Sequence, residues 1–547
     1  MGADSQAAPV PHEKGGRRDV LVIGASSLGT VFEWYDFYLY GSLAAIITGH
    51  FFSGVNETTG FILALLAFAA GFAIRPLGAV VFGRLGDIWG RKNTFLITML
   101  LMGVSTFVVG LLPSYAQIGV AAPIALVLMR LVQGLALGGE YGGAATYVAE
   151  HAPDGKRGFY TSWIQTTATV GLFLSLAVIL ITRTTLGEAA FKEWGWRIPF
   201  LVSMLLLGVS LWIRLKLHES PTFQKMIAEG KGTKKPLAEA FGEWKNLKVV
   251  LLSLVGLTMG QAVVWYTGQF YALFFLEKTL KLDGAQANTL VALGLLIGTP
   301  FFVIFGWLSD KIGRKPIILL GCLLAAATYF PIFKGITTYA NPALAHAEAS
   351  APVVVSTDPS TCAFQFDLIG KAQFNTPCDV AKAYLAKAGV SYSVQAAPAG
   401  AGTSVQVGGV TLQGMAAGAD RKAWEADLGE QLAAAGYPAK ADPAQVNKPA
   451  VVGLLALLVI YVTMVYGPIA AMLVELFPTR IRYTAMSLPY HIGNGWFGGF
   501  LPTTAFAIVA ATGNIYSGLW YPVIIAGITA VVGALFLKDT RHNVIDD

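Results

Sequence analysis

Two residues of opposite charge lie deep inside long apolar stretches of the sequence. Asp36 lies near the middle of the stretch 20–48, and Arg130 lies about ten residues, or roughly 15 Å of helix, inside the stretch 118–148. Ionisable groups within a membrane span are costly and are usually paired or functional. Burial favours a neutral carboxyl and a neighbouring arginine favours a carboxylate, so this pair could exchange a proton while Arg130 binds an acidic substrate. The alternative is a static structural pair.

Arg75 and Glu140 form a second candidate pair, each about 12 Å from one end of its apolar stretch. This pair could share the proton chemistry or could be a packing brace. Glu33 lies one helical turn from Asp36. We therefore predict proton coupling by Asp36, Arg130, Glu33 and Glu140.

The second half of the chain offers polar and aromatic side chains at this depth instead of charges. We expect them to shape and select the substrate together with residues of the first half. The predicted substrate contacts are Arg130, Arg75, Tyr35, Gln133, Gln261, Trp265, Tyr266, Gln269, Tyr490, His491 and Asn494. His491 could instead carry the proton, since histidine ordinarily titrates near about pH 6.5, or serve as a hydrogen-bonded scaffold. The aromatic residues could equally belong to the core.

The motif G-x-L-x-D-x-x-G-R-K occurs twice, at 83–92 and at 306–315. A looser repeat relates Glu150 and Arg157 to Glu475 and to Arg480 or Arg482. These charges lie at one predicted membrane surface, where they could form ion pairs that break when that surface opens. The predicted cytoplasmic gate consists of Asp87, Arg91, Glu150, Arg157, Asp310, Arg314, Glu475 and Arg480.

The sequence contains twelve apolar stretches long enough to cross a bilayer, which takes about 20 residues for each helix. These stretches would position the residues described above. They are 20–48, 58–82, 94–112, 118–148, 159–182, 196–216, 248–276, 286–308, 316–338, 450–476, 484–511 and 516–537. Lys and Arg are concentrated in alternate loops, which predicts that both termini are cytoplasmic. A helical protein with a buried apolar core is the alternative.

The composition agrees with a membrane protein. The 547-residue chain is 55% hydrophobic and 13% charged, whereas soluble domains have roughly 25% charged residues. This excludes a cytosolic enzyme, a disordered chain and a nucleic-acid binder. The net charge of +6 is explained by basic loops on the cytoplasmic side. The sequence has no phosphate-binding loop, metal-ligand cluster or nucleophile triad, so we expect no enzyme activity, no cofactor and no metal.

Residues 340–448 are rich in Ala, Gly, Pro, Ser and Asp and contain no apolar run long enough to cross a membrane. The two repeats are offset by 223 residues (83 to 306) and 325 residues (150 to 475), which independently indicates about 100 additional residues in this region. The segment follows the ninth stretch and is therefore predicted to be periplasmic. We expect a small α/β fold, with strands in 353–366 and 391–407 and helices in 377–389 and 419–436.

The cysteines are few and two of them lie in this insertion. Cys362 and Cys378 are predicted to form a disulfide, because disulfides persist outside the cytoplasm; two free thiols are the alternative. Cys322 lies in the ninth stretch, where we expect it to pack against other helices.

Several further short motifs occur together along the chain. They are Glu33-Trp-Tyr-Asp36-Phe, Arg75-Pro-Leu-Gly, Arg130-Leu-Val-Gln133-Gly, Gly138-Gly-Glu140, Trp196-Arg-Ile-Pro199-Phe, His218-Glu-Ser220 and Glu475-Leu-Phe-Pro-Thr-Arg480. With the repeated motif, they resemble the major facilitator superfamily and, more closely, its metabolite:proton symporter branch. The resemblance implies two lobes that work by alternating access, and branch members carry organic acids or compatible solutes with protons. The insertion departs from this pattern, so the resemblance implies nothing about its role.

The predicted fold is an all-α membrane protein with twelve transmembrane helices in two six-helix lobes, the major facilitator fold, and an inserted extracytoplasmic domain. Its parts are an N-terminal tail (1–19), an N-terminal lobe (20–216), a cytoplasmic linker (217–247), a C-terminal lobe (248–339 and 449–537), a periplasmic insertion (340–448) and a C-terminal tail (538–547).

The predicted function is proton-coupled import of a small organic acid or zwitterion by a monomer in a bacterial inner membrane. The expected partners are the substrate, protons and the lipid bilayer, with no nucleic acid. Proton antiporters of the superfamily commonly carry a Gly-Pro motif in the fifth stretch, and its absence here favours uptake. The alternatives are exchange or efflux of an organic ion, and a ligand sensor derived from a transporter.

Overall fold

The computed structural model describes residues 17–52, 70–215, 218–363, 375–416 and 418–545. Side chains are not described for some positions of the first helix, among them Glu33, so the prediction for Glu33 lies outside the described side chains.

Long helices make up the first half of the chain. They are α1 (Arg17–Phe51), α2 (Arg75–Trp89), α3 (Arg91–Leu111), α4 (Ala121–His151), α5 (Arg157–Leu186) and α6 (Arg197–Leu215), followed by the short α7 (Pro221–Ala228). The second half contains α8 (Trp244–Thr279), α9 (Gly284–Ile312), α10 (Arg314–Ala340) and, after the insertion, α14 (Lys448–Glu475), α15 (Arg482–Ile492), α16 (Leu501–Thr512) and α17 (Trp520–Phe536).

Nine helices in the described ranges are long and apolar enough to cross a membrane. The predicted stretch 58–82 begins in residues outside those ranges, and α1 has only part of its side chains described. The predicted stretch 484–511 is two helices, because the glycine-rich segment Gly493–Gly498 forms a π-helical turn between α15 and α16. Twelve spans therefore remain a prediction.

Each copy of the repeated motif ends one helix and begins the next at a glycine. Gly90 has φ 106° and Gly313 has φ 111°, which is a region that favours glycine. A Cβ on Gly90 would overlap the carboxylate of Glu219, and one on Gly313 would overlap that of Asp539. The motif glycine therefore both permits the turn and makes room for an acidic side chain.

The insertion folds as a small α/β unit. Its elements are α11 (Pro342–Ser350), β1 (Val353–Thr357), α12 (Pro377–Ala388), β2 (Tyr392–Ala396), β3 (Ser404–Val407), β4 (Val410–Gln413) and α13 (Arg421–Ala434). The strands form one sheet in the order β2-β1-β3-β4, in which β1 and β2 are parallel and the other pairs antiparallel. The predicted strand region 391–407 is therefore two strands, and the described part of 353–366 is a strand only over β1.

A disulfide joins Cys362, after β1, to Cys378 in the first turn of α12, and Cys322 is buried as a free thiol. We expect the double substitution Cys362→Ser and Cys378→Ser to destabilise the insertion by about 3 kcal/mol, because the bridge closes a loop of 16 residues and restricts the unfolded chain. Pulse proteolysis of the full-length protein in nanodiscs across a urea series would measure the shift. Cys322→Ser is the control for thiol loss, and cleavage of the insertion at the same urea concentration in both variants would contradict the prediction.

The insertion is bonded to loops of the second half. Tyr392 N donates to Gly513 O (2.8 Å), Ala441 N donates to Lys281 O (3.0 Å), and Asn341 Nδ2 donates to Leu280 O (2.9 Å). We call this end of the bundle the insertion face. The opposite end, which carries Asp87 and Asp310, we call the motif face.

Candidate functional site

A narrow central cavity of about 30 Å³ lies between the two halves, with room for water but not for a metabolite. It is lined by Thr30, Trp34, Phe37, Arg75, Leu137, Tyr141, Ile164 and Gln165 of the first half and by Trp265, Tyr266, Tyr466, Tyr490, His491 and Asn494 of the second. Predicted substrate contacts from distant parts of the sequence thus meet in one place: Arg75, Trp265, Tyr266, Tyr490, His491 and Asn494.

Arg75 is the only charged residue in this described lining. Its guanidinium lies 4.6 Å from the ring centre of Phe72 and 5.9 Å from that of Phe37. Its Nε is buried without a hydrogen-bond partner among the described residues. Since a buried unpaired donor is costly, Arg75 is suited to bind an acidic group that enters the cavity.

The opposite wall contains Asn494 and His491, which differ in how their polar atoms are satisfied, whereas Gln261 is not in the described lining, contrary to the prediction. Gln261 and Asn494 bind each other through reciprocal amide hydrogen bonds of 3.2 and 3.0 Å. His491 is buried, and neither ring nitrogen has a hydrogen-bond partner within the described chain. His491 is therefore available to a ligand, whereas Gln261 stabilises the contact between α8 and the π-helical turn.

Aromatic side chains make up half of the described cavity lining. Tyr141 stacks on Tyr490 with ring centres 3.7 Å apart, and the hydroxyls of Tyr466 and Tyr490 are 2.6 Å apart. Trp34 and Trp265 meet across the two halves at 5.3 Å. Such rings provide apolar surface, and their faces also attract cations.

Tyr35 does not reach this cavity, contrary to the prediction. Helical spacing places Thr30, Trp34 and Phe37 on the cavity side of α1 and turns Tyr35 away. The Tyr35 hydroxyl instead donates to Pro199 O at 2.7 Å in the core of the first half.

Gln269 lies one helical turn beyond Trp265 and lines a second cavity instead. This outer cavity of about 320 Å³ lies towards the insertion face and includes Ser42, Phe270, Glu277 and Asn288. Phe37 and Tyr266 line both cavities. An aromatic layer therefore separates the outer cavity from the central one.

Asp36 and Arg130 are both buried but do not form the predicted ion pair. Two side chains lie between them: Thr106 Oγ1 donates to Asp36 Oδ2 (2.8 Å), Gln133 Nε2 donates to Thr106 Oγ1 (2.9 Å), and Arg130 Nη1 donates to Gln133 Oε1 (2.7 Å). Arg130 also lies 4.0 Å from the ring centre of Tyr40. Depth along a helix gave the right level in the bundle but could not show which side chains intervene.

Glu140 pairs with Arg214 rather than with Arg75. The Glu140 carboxylate is 3.3 Å from Arg214 Nη2 and accepts a hydrogen bond of 2.9 Å from Thr98 Oγ1. Arg214 lies in the last turn of α6 and is buried. The predicted Arg75–Glu140 pair is therefore wrong.

At the motif face, Asp87 of the first half binds the start of a helix in the second half. Its carboxylate accepts hydrogen bonds from Tyr483 N (3.2 Å) and Thr484 N (2.8 Å) at the N-terminus of α15, and it pairs with Arg91 at 3.0 Å. Free N–H groups and the helix dipole make a helix N-terminus a favourable place for a carboxylate.

The second copy of the motif makes the reciprocal contact. Asp310 of the second half accepts hydrogen bonds from Gly158 N (2.9 Å) and Phe159 N (2.8 Å) at the N-terminus of α5, and it pairs with Arg314 at 2.8 Å. Each half thus places one motif carboxylate on a helix N-terminus of the other.

Ion pairs extend this network across the two halves. Glu150 binds Arg91 (3.4 Å) and Arg482 (2.8 Å). Glu475 binds Arg314 (3.0 Å) and lies 3.7 Å from Arg157. The motif face is therefore closed by buried charges.

Arg480 is not part of this buried network. It is half exposed and pairs with Glu239 at the surface, whereas Arg482 occupies the position equivalent to Arg157. The sequence spacing already pointed to Arg482, because the interval from 150 to 157 equals that from 475 to 482. The gate prediction is corrected from Arg480 to Arg482.

The fold consists of two halves with a cavity between them and a reciprocal charge network at one end, and solved structures share this fold. The structure of the major facilitator superfamily proton:xylose symporter XylE bound to 6-bromo-6-deoxy-D-glucose matches with a TM-score of 0.61 and 16% identity, covering 96% of this chain and 98% of that one. A partially occluded inward-open structure of XylE from E. coli matches with a TM-score of 0.56 and 15% identity, covering 97% of this chain and all of that one.

The family model described as "Sugar (and other) transporter" matches residues 21–355, and the chain belongs to this family. It is 39% identical over 322 residues to a proline/betaine transporter of Salmonella typhimurium, a match covering 57% of this chain and 63% of that protein. It is 36% identical over 326 residues to the alpha-ketoglutarate permease of Escherichia coli, covering 60% of this chain and 74% of that protein. The chain therefore belongs to a family whose members are described as transporters, and it spans about 63% of the length of the proline/betaine transporter that it matches.

Proposed function

We propose that the protein imports a small organic acid or zwitterion together with protons across a bacterial inner membrane. The observation that carries this proposal is Arg75, the one charged residue in the described lining of the aromatic cavity between the two halves, whose buried Nε has no hydrogen-bond partner among the described residues. Relatives described as carrying proline and betaine, alpha-ketoglutarate or shikimate support the same substrate class.

The substrate carboxylate would bind Arg75, with His491 as a second polar contact. A positive group on the substrate, where present, would face the rings of Trp34, Trp265 and Tyr141, since aromatic faces attract cations. Import would begin at the outer cavity, and rearrangement of the aromatic layer would admit the substrate to the central cavity.

Asp36 would be the proton-coupling group. Its Oδ1 is buried without a partner in the described chain, and its link to Arg130 runs through Thr106 and Gln133. Protonation of Asp36 would weaken this chain of hydrogen bonds and so change the position of Arg130. Arg130 and Arg75 line the same small void. Proton binding would thereby alter the electrostatic field at the substrate site, although the proton does not contact the substrate.

In this mechanism the motif face is cytoplasmic and the chain works as a monomer with two rocking lobes. The reciprocal network of Asp87 and Asp310 would hold the cytoplasmic side closed and would break when the lobes open inward.

The test uses purified protein in proteoliposomes. A thermal-shift screen of organic acids and betaines at two pH values identifies a ligand, and its uptake is then measured under an imposed pH gradient. We expect accumulation when the outside is acidic, collapse of that accumulation with a protonophore, and loss of accumulation in Asp36→Asn with exchange retained. Accumulation when the inside is acidic would establish antiport instead, and concentrative uptake by Asp36→Asn would overturn the assignment of Asp36.

A further inference from the structure

We propose that the proton leaves Asp36 through a buried water site inside the first half of the chain, with Glu140 as its next acceptor, and not through the central cavity. The inference rests on the proposed proton coupling at Asp36 and adds to it a route and a second proton carrier.

A void of about 20 Å³ lies among α1, α3, α4 and α6, away from the central cavity. Its described lining is Gly29, Phe32, Asp36, Met99, Met102, Gly103, Glu140, Ser203, Leu206 and Leu207. The volume suffices for a water molecule, and the two acids supply the polar partners that a buried water needs. Asp36 and Glu140 are the only ionisable groups in this lining.

The two acids differ in how their oxygens are satisfied. Asp36 is 4% exposed and its Oδ1 has no partner in the described chain, while Oδ2 accepts from Thr106. An unsatisfied buried carboxyl oxygen is costly, and a water in the adjoining void removes that cost. Glu140 is 2% exposed and bonded to Arg214 and Thr98, and a carboxylate retains lone pairs for a further donor.

The bonding partners of the two acids set the direction of the path. Thr106 and Thr98 both lie on α3, about 12 Å apart along the helix, and Thr98 is nearer to the motif face. Arg214, the partner of Glu140, precedes Leu215, whose carbonyl accepts a hydrogen bond from the surface residue Lys92. A proton that passes from Asp36 to Glu140 therefore moves towards the motif face.

The transfer is balanced in charge. Asp36 gives its proton to the water site and becomes a carboxylate, while Glu140 accepts one proton and becomes neutral. When the motif face opens and admits water, Glu140 loses that proton and pairs again with Arg214. The other charged or titratable groups facing the two acids are Arg130 and Tyr35 near Asp36 and Tyr483 near Glu140.

The helix geometry explains why this route differs from that of the substrate. α1 presents Trp34 and Phe37 to the central cavity and Asp36 to the void. A bound substrate would therefore leave the proton path open, and the substrate and proton could be released separately.

Three variants test the route. Glu140→Gln removes the acceptor at constant size. Ser203→Leu fills the void while leaving both acids in place, because Ser203 Oγ bonds only its own helix, at Phe200 O. Ser203→Ala keeps the void open and is the matched control. Net uptake driven by a pH gradient and substrate counterflow, which needs no net proton release, are measured in the same proteoliposomes, with a pH dye reporting proton entry.

We expect the ratio of net uptake to counterflow to fall at least tenfold in Glu140→Gln and in Ser203→Leu, with Ser203→Ala within twofold of the unmodified protein. A larger solvent isotope effect on net uptake in Glu140→Gln would further support the route. An unchanged ratio in both variants, or an equal loss of both activities, would overturn it, because a structural brace moves the two together. If Asp36→Asn abolishes coupled uptake while these variants leave it unchanged, the relay fails and the proposed function stands; if Asp36→Asn also accumulates substrate, the proposed function fails.

Discussion

Replacing Arg75 by glutamine is expected to weaken substrate binding by roughly 100-fold or more. Arg75 is the only charged side chain in the described lining of the central cavity. A bidentate pair supplies two charge-assisted hydrogen bonds of about 1.5–3 kcal/mol each, and glutamine can replace only part of one. Arg75→Lys should recover a fraction of the loss, since lysine keeps the charge but not the planar fork.

Equilibrium binding of the radiolabelled substrate to protein in nanodiscs would measure this effect without the complication of turnover. Arg183→Gln is a matched control, because Arg183 is partly exposed and pairs with Glu188 at the end of α5. Affinity of Arg75→Gln within threefold of the unmodified protein would show that the substrate does not bind this arginine.

Asp87→Asn is expected to shift the protein strongly towards a state open at the motif face. Asp87 is buried, accepts two backbone hydrogen bonds from α15 and pairs with Arg91. Removing one partner of a buried ion pair typically costs about 3–5 kcal/mol. Because the cost falls only on the closed state, the ratio of open to closed protein should rise by more than about 100-fold.

Spin labels at Lys156 and Lys311, two surface residues on opposite sides of this network, would report the opening as a longer distance. Asp310→Asn should give the same direction of change, since Asp310 makes the reciprocal contacts with α5. Asp154→Asn is the control, because Asp154 pairs with Arg157 but is 95% exposed and should contribute little. An unchanged distance distribution in Asp87→Asn would mean that other contacts hold this face closed.

Sequence periodicity and internal repetition located much of this architecture. The repeated motif led to Asp87 and Asp310, and the apolar stretches gave the depths of Arg75 and His491. The composition break at 340–448 found the insertion. These features are encoded locally, by spacing along a helix and by residue type.

Features that depend on the rotation and packing of neighbouring helices were not recoverable. Equal depth suggested that Glu140 would meet Arg75, but α6 brings Arg214 into that position. Tyr35 looked like a cavity residue because it adjoins Asp36, yet it faces the core of the first half. Tyr141 and Gln165 were missed, and their hydrogen bond beside the central cavity depends on the contact between α4 and α5.

The attachment of the insertion has a consequence for how the molecule can be observed. Its hydrogen bonds to Leu280, Lys281 and Gly513 attach it to loops of the second half, so it should move as a rigid body with that half whenever the half tilts. A small angular displacement in the bilayer would become a larger excursion at the tip of this appendage. A fluorophore or an antibody fragment fixed to its outermost strand would then report the transport cycle from outside the membrane. Such a label would not contact the substrate-binding cavities.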